Sequence, residues 1–252
     1  KEVQRLGNLS FALSVEGYAE TNDDRRGQGV FEKVMHAMDL MKEHGLLFGT
    51  SICYTSKNYK VVTSDEFLQM LVDKGAILSW FFHYMPVGND AAPELMPNPE
   101  QRKAVYERIR AFRSSKPIFS LDFQNDAEYI GGCIAGGRYY LHINAAGDVD
   151  PCVFIHYSNA NIHEVSLLDA LKSPIFQAYR KGQPFNDNML RPCPMLENPE
   201  CLPKMVKETG AHSTDPQSPE DVQHLCDKCK PYAEAWTKMA DKLWDERLEA
   251  KK

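Results

Sequence analysis

The sequence predicts an α/β protein: parallel strands with crossover helices forming half of a (β/α) barrel, then a small hairpin with further helices. Three observations predict it. Short apolar runs alternate with amphipathic stretches over residues 1–123, in the order β-α-β-α-β-α. Ala145-Ala146-Gly147-Asp148 is a turn signal between two strand-like stretches. Those stretches lie between Cys133 and Cys152, and more cysteines follow toward the C-terminal end.

The 252 residues are 43% hydrophobic, enough for one or two cored domains, divided here as 1–123 and 124–252. A net charge of -6 opposes nucleic acid as the main partner. No apolar run approaches the ~18 residues of a membrane span. No signal peptide opens the chain, so the expected location is cytoplasmic. In that reducing compartment, seven cysteines point to metal or cluster ligation rather than disulfides.

The elements follow in order. Leu9 to Val15 is apolar at 9, 11, 13 and 15, a strand that Glu16-Gly17 ends. Phe31, Val34, Met35, Met38 and Met41 fall at helical spacing within Val30–His44, and Gly45 is a natural stop. Leu46–Ile52 is the next strand. Thr63-Ser64-Asp65-Glu66 reads as a capping box opening a helix that ends near Gly75. Ile77–Tyr84 is apolar almost throughout, as a strand buried on both faces. A proline-rich loop from Pro86 leads to a helix with Asn98 as N-cap and Pro99 at N1, running to Ser114. Ile118–Phe123 adds a strand. Half a barrel leaves apolar edges open. More sequence is therefore expected before Lys1, which is not an initiator methionine.

Beyond residue 123 the hairpin dominates. Tyr139, Leu141 and Ile143 alternate with Tyr140, His142 and Asn144, and Val149–Phe154 is the return strand. Cys133 comes just before the hairpin and Cys152 lies on its return strand, an arrangement that can hold two thiolates on one side. The plain alternative is a surface hairpin with two incidental cysteines. From Pro219 to Lys252 the chain reads as a helix. Its apolar stripe is Ala233, Trp236, Met239, Ala240, Leu243 and Trp244, which is expected to pack back on the barrel.

Two stretches carry a family resemblance. Leu13-Ser14-Val15-Glu16-Gly17 and Asn22-Asp23-Asp24-Arg25-Arg26-Gly27-Gln28-Gly29-Val30-Phe31 resemble the fourth strand and following helix of radical SAM enzymes, with Asn22 and Glu16 where those enzymes usually have His and Asp. Cys133, thirteen residues, Gly147, four residues and Cys152 is similar to the SPASM/Twitch pattern appended to that family. Trp80–Gly88 and Arg191–Pro199 look like an uncharacterised bacterial subgroup. The resemblance implies the C-terminal half of a partial radical SAM barrel followed by a SPASM/Twitch-like auxiliary-cluster domain.

The departures are as informative. The Cys-x3-Cys-x2-Cys loop of the catalytic [4Fe–4S] cluster is absent, and so is the Gly-Gly-Glu-Pro motif that meets S-adenosyl-L-methionine. The resemblance therefore places a second [4Fe–4S] cluster on an N-terminal half preceding Lys1. Six cysteines from Cys133 onward are too few for two fully cysteine-ligated clusters, so one auxiliary [4Fe–4S] cluster is expected. Cys133, Cys152 and Cys193 are candidate ligands, Cys193 because Pro192 and Pro194 stiffen its loop. Cys226 or Cys229, in a Cys-x-x-Cys pair, completes the set. Cys201, at a helix start, is more plausibly a packing residue. Cys53 is read as a buried core thiol. His142, His156 and His163 rank below the thiols.

Toward SAM, the resemblance implies that Ser14 and Glu16 meet the ribose from a strand's carboxyl edge, where barrel enzymes carry their active groups. It implies that Arg26 pairs with the carboxylate, and that His83 faces the same mouth. The plain readings are a strand-capping turn, a solvated arginine beside Asp23 and Asp24, and a core histidine satisfied by backbone. Two functions follow. One is a radical SAM enzyme that cleaves SAM reductively to a 5′-deoxyadenosyl radical and abstracts hydrogen from a peptide or small-molecule substrate, served by an electron donor such as flavodoxin or ferredoxin. The other is a non-catalytic four-cysteine zinc or iron module, which needs the same ligands.

Overall fold

The computed structural model describes residues 1–250. The chain forms two compact units. The first comprises Lys1–Tyr84 and Glu94–Phe123; the second comprises Met85–Pro93 and everything from Gln124 onward. Among the described residues, no helix is long and apolar enough to cross a membrane.

The first unit opens with a short helix α1 (Glu2–Leu6), then strand β1 (Phe11–Ser14), α2 (Ala19–Arg26), α3 (Val30–Glu43), β2 (Phe48–Tyr54), α4 (Tyr59–Val62), α5 (Asp65–Lys74), β3 (Leu78–His83), α6 (Pro99–Ser115) and β4 (Phe119–Asp122). The four strands form one parallel sheet in the order β1-β2-β3-β4. This is the partial-barrel arrangement expected. Met38, Phe48, Ile52, Phe67, Leu71, Phe81, Ile109 and Phe112 build its core, fully or almost fully out of water. Each buried side chain of that size contributes roughly 1.5–3 kcal/mol.

Several boundaries differ from expectation. β1 and β2 each begin two residues late, because Leu9 and Leu47 are exposed and gain nothing by pairing. Ser64, not Thr63, caps α5, accepting from the Phe67 amide. Phe67 then occupies the position a capping box reserves for Glu or Gln, so no box forms. The full capping box sits instead at α6, between Asn98 and Gln101. β3 is not buried on both faces: Ser79, Phe81 and His83 are buried, whereas Leu78, Trp80 and Phe82 are half-buried. Phe81 points into the core, while Trp80, Phe82 and Phe123 stack on one another at 4.8–6.0 Å on the other face.

The second unit contains β5 (His142–Ile143), β6 (Val149–Asp150), β7 (Tyr157–Ser158), α7 (Leu167–Ala170), α8 (Pro174–Gly182), α9 (Cys201–Thr209), β8 (His212–Ser213) and α10 (Val222–Glu249). The hairpin is present but shorter than predicted: only His142 and Ile143 pair, with Asp150 and Val149. Gly136 and Gly137, both at positive φ, curl residues 134–140 into a turn instead, and the Tyr139 amide donates to the Ile134 carbonyl. Asp221 caps α10 through the Gln223 and His224 amides. Within the second unit α10 packs on α9, and Trp236, wholly buried, donates to the Leu190 carbonyl. Residues 251 and 252 at the end of the expected helix lie outside the described residues.

Candidate metal centre

Within the second unit three of the predicted cysteines, Cys133, Cys152 and Cys193, all bear electrostatically on one tyrosine. Cys133 ends the loop before the curled turn, Cys152 follows β6, and Cys193 sits in the proline-flanked loop. Tyr179 on α8 is fully buried and feels Cys133, Cys152 and Cys193 together. Its hydroxyl lies 4.0 Å from the Cys133 sulfur. Gly136 makes room for that ring, since a Cβ there would come within 2.4 Å of it. Tyr140 brings its hydroxyl to 2.6 Å from the Cys152 sulfur. The Phe154 amide donates to the same sulfur, and the Leu196 amide donates to Cys193. Arg138 anchors the loop by donating to the carbonyls of Gly131 and Cys133.

Burial makes these thiols costly to ionise. Cys152 is pushed up to about 12, chiefly by burial and next by Cys133. Cys193 is raised well above the usual thiol range by burial, then by Glu197 and by Cys133. Cys133 is raised by burial. No disulfide links any of the seven cysteines. An iron–sulfur centre takes cysteine as the soft thiolate, and a bound metal's charge offsets the cost of ionising such a thiol, whose proton leaves to solvent. The residues present therefore fit an iron–sulfur group. Among the described residues, no three His, Cys, Asp or Glu side chains come close enough to hold a single metal ion.

Cys226 and Cys229 lie one turn apart at the start of α10, both buried. Burial pushes Cys229 up to about 12 and raises Cys226, which also feels Cys229. The Glu197 charge bears on Cys133, Cys193 and Cys229 and raises each. Cys201, half-buried on the first turn of α9, points its sulfur toward Glu200. Cys53 belongs to β2 in the first unit, where burial raises it and Arg25 partly offsets that rise.

The first unit holds the other predicted residues. By register, Ser14, Ser51, Trp80 and Leu121 form one row across the sheet. Glu16, just past β1, is fully buried; its amide donates to the Asn22 side chain and its carbonyl accepts from Asn58. Its carboxylate receives Arg26 at 2.6 Å, and Arg25 lies 3.0 Å from the second oxygen. Arg26 is thus partnered by Glu16 and not by the neighbouring aspartates. Asp23 instead caps α3 through the Gly29 and Phe31 amides. His83 does not face an open mouth. It is 1% exposed, shares the Phe81 side of β3, and bonds the Tyr84 carbonyl through Nδ1. Burial, with help from Arg102, drives its pKa down to about 3.

The sequence did not single out Tyr140, Tyr179 or Glu197. Glu197 was recoverable: it follows Cys193 by four residues and its carboxylate accepts from the Cys193 amide. Nothing local marked Tyr179, which lies 27 residues beyond Cys152 on another helix.

Residues 133–200 match the SPASM domain, an iron–sulfur cluster-binding domain. Among solved structures the chain is similar to anSMEcpe with bound AdoMet, with a TM-score of 0.51 and 15% identity over 98% of this chain and 68% of that one. It is also similar to SuiB of Streptococcus suis, with a TM-score of 0.57 and 14% identity over 73% of this chain. A structure of SuiB bound to its precursor peptide SuiA gives a TM-score of 0.54 at 15% identity, covering 73% of this chain and 48% of that one. The chain spans only 49% of SuiB's own length. No curated protein matches it in sequence. The chain therefore carries a SPASM iron–sulfur domain at residues 133–200 and has the α/β fold of the radical SAM enzymes that bear one.

Proposed function

We propose that this chain is part of a radical SAM/SPASM enzyme whose second unit holds one auxiliary [4Fe–4S] cluster on Cys133, Cys152, Cys193 and one of Cys226 and Cys229. The observation that carries the reading is that Cys133, Cys152 and Cys193, one buried and two half-buried, all bear electrostatically on Tyr179 inside the stretch that matches the SPASM domain. When bound, such a cluster accepts or relays one electron, while SAM and a second [4Fe–4S] cluster on an N-terminal half supply the radical that takes hydrogen from substrate. The chain's own residues hold the cluster. The three cysteines would ligate as thiolates, their protons released to solvent, with the Tyr140 hydroxyl beside Cys152, the Tyr179 hydroxyl beside Cys133 and the Leu196 amide on Cys193. Ser14 and Glu16 stand at the carboxyl edge of β1, where the SAM ribose is proposed to bind. Arg26 has one donor nitrogen committed to Glu16, and a guanidinium has five N–H donors, so others remain for the SAM carboxylate. The peptide bound to SuiB favours a peptide over a small molecule as substrate, with a flavodoxin or ferredoxin as electron donor.

A four-cysteine zinc module would draw on the same thiols, so metal content separates the two readings. The test is iron and acid-labile sulfide after anaerobic reconstitution. Cys152→Ala should abolish the auxiliary-cluster iron and Cys53→Ala should keep it. Iron retained in full by Cys152→Ala, or zinc bound in preference to iron, overturns the reading.

A further inference from the structure

The hydroxyl of Tyr140 lies 2.6 Å from the sulfur of Cys152, and either atom is able to donate when the cysteine is a thiol. Ligation removes that ambiguity. A thiolate has no proton, so the phenol becomes the donor, and the bond becomes charge-assisted. The donor is held in place before any metal arrives. The Tyr140 amide donates to the Ile134 carbonyl, the Gly137 amide donates to the Tyr140 carbonyl, and the Gly136 amide donates to the Pro151 carbonyl, tying the turn to the residue beside Cys152. The Phe154 amide, 3.5 Å away, is the other donor on this sulfur, but it belongs to the backbone. Tyr140 is the donor a single side-chain change removes.

We propose that Tyr140 is a potential-setting residue: by donating to the Cys152 thiolate it raises the reduction potential of the auxiliary cluster. This rests on the reading that Cys152 is a ligand. Reduction adds one negative charge, part of which falls on the ligand sulfurs. A hydrogen-bond donor stabilises the reduced state more than the oxidised one, and the potential rises. Glu197 acts in the opposite sense, since its charge already disfavours anions at Cys133 and Cys193. With the Tyr140 donor added to the Phe154 and Leu196 amides, the site is a better electron acceptor than its thiolates, those amides and Glu197 alone would allow.

The experiment is a redox titration of the reconstituted chain, followed by electron paramagnetic resonance, with iron and sulfide measured on each sample. Tyr140→Phe keeps the ring and removes the donor. Iron should stay at the wild-type level while the equilibrium constant for reduction falls about three- to tenfold, up to about 59 mV toward negative potential for one electron. Tyr179→Phe, whose hydroxyl is 4.0 Å from Cys133, should shift it less. If Tyr140→Phe loses iron, 3-fluorotyrosine at position 140 decides, because a more acidic phenol is a stronger donor and should move the potential positive. An unchanged potential in an iron-replete Tyr140→Phe, or no positive shift with fluorotyrosine, overturns the proposal and leaves the cluster assignment intact. Full iron in Cys152→Ala overturns the assignment beneath it.

Discussion

Arg26 donates to Glu16 at 2.6 Å, and the carboxylate it reaches is wholly buried while the arginine side chain is 33% exposed. That asymmetry decides what the pair does. A carboxylate taken out of water is costly unless charged donors surround it. Glu16 has Arg26 on one oxygen and Arg25 3.0 Å from the other. Its backbone is gripped by the side chains of Asn22 and Asn58. The pair therefore fixes the path of the chain from the end of β1 into α2, where the SAM-binding residues are proposed to lie.

Glu16→Ala should leave two arginines without their shared acceptor and loosen that path. Because both arginines keep access to water, the loss should be roughly 1–3 kcal/mol, less than for a fully buried pair. Urea denaturation measures it. A change within about 0.5 kcal/mol, the range of ordinary surface substitutions, rules out a structural role for the pair.

Gly136→Ala tests whether the cysteine cluster depends on a backbone clearance. The new Cβ would lie 2.4 Å from the Tyr179 ring, on a residue at φ 69°. Gly45→Ala is the control, with φ 62° and no heavy atom within 4 Å of the added carbon. Both carry the left-handed penalty of about 1–2 kcal/mol. Only Gly136→Ala should add about 1–3 kcal/mol of overpacking and lower the iron bound per chain. Equal losses in the two variants, with iron unchanged, refute the dependence.

The partial-barrel order was legible because each strand is a short apolar run and each helix carries its own stops, such as Gly75 in the left-handed region after α5. The candidacy of Cys133, Cys152 and Cys193 as ligands was legible for a different reason. Turn chemistry around Gly147 and the stiff loop at Pro192 and Pro194 are local signals of how thiols are presented. Long-range packing was not legible. The length of the hairpin depends on Gly136 and Gly137 meeting Tyr179, Leu171 and Phe176 from elsewhere in the chain. Which face of β3 is buried depends on the helices against Phe81, and that face carried His83 inward. Apolar content alone could not distinguish its two sides.

His83 gives the first unit a pH dependence whose sign follows from its burial. Its folded pKa is about 3 against the usual 6.5. Burial disfavours the imidazolium, and the nearby Arg102 adds repulsion. Between those two values the unfolded chain binds a proton that the folded chain does not. Stability therefore rises with pH across the window and falls as pH drops from 6.5 toward 3, by up to about 1.36 kcal/mol per pH unit from this one group. Other carboxylates titrate in the same range, so the slope of one protein is not diagnostic and the difference between two is. His83→Gln cannot be protonated and should lose this component. Hydrogen exchange at the amides of β2 and β3, measured at pH 4.5 and 6.5, reads it out in the unit concerned. The wild type should lose more protection on acidification than His83→Gln does, whatever their stabilities at pH 6.5. Parallel losses in the two would mean that His83 is protonated in the fold, and the buried neutral imidazole would have to be abandoned.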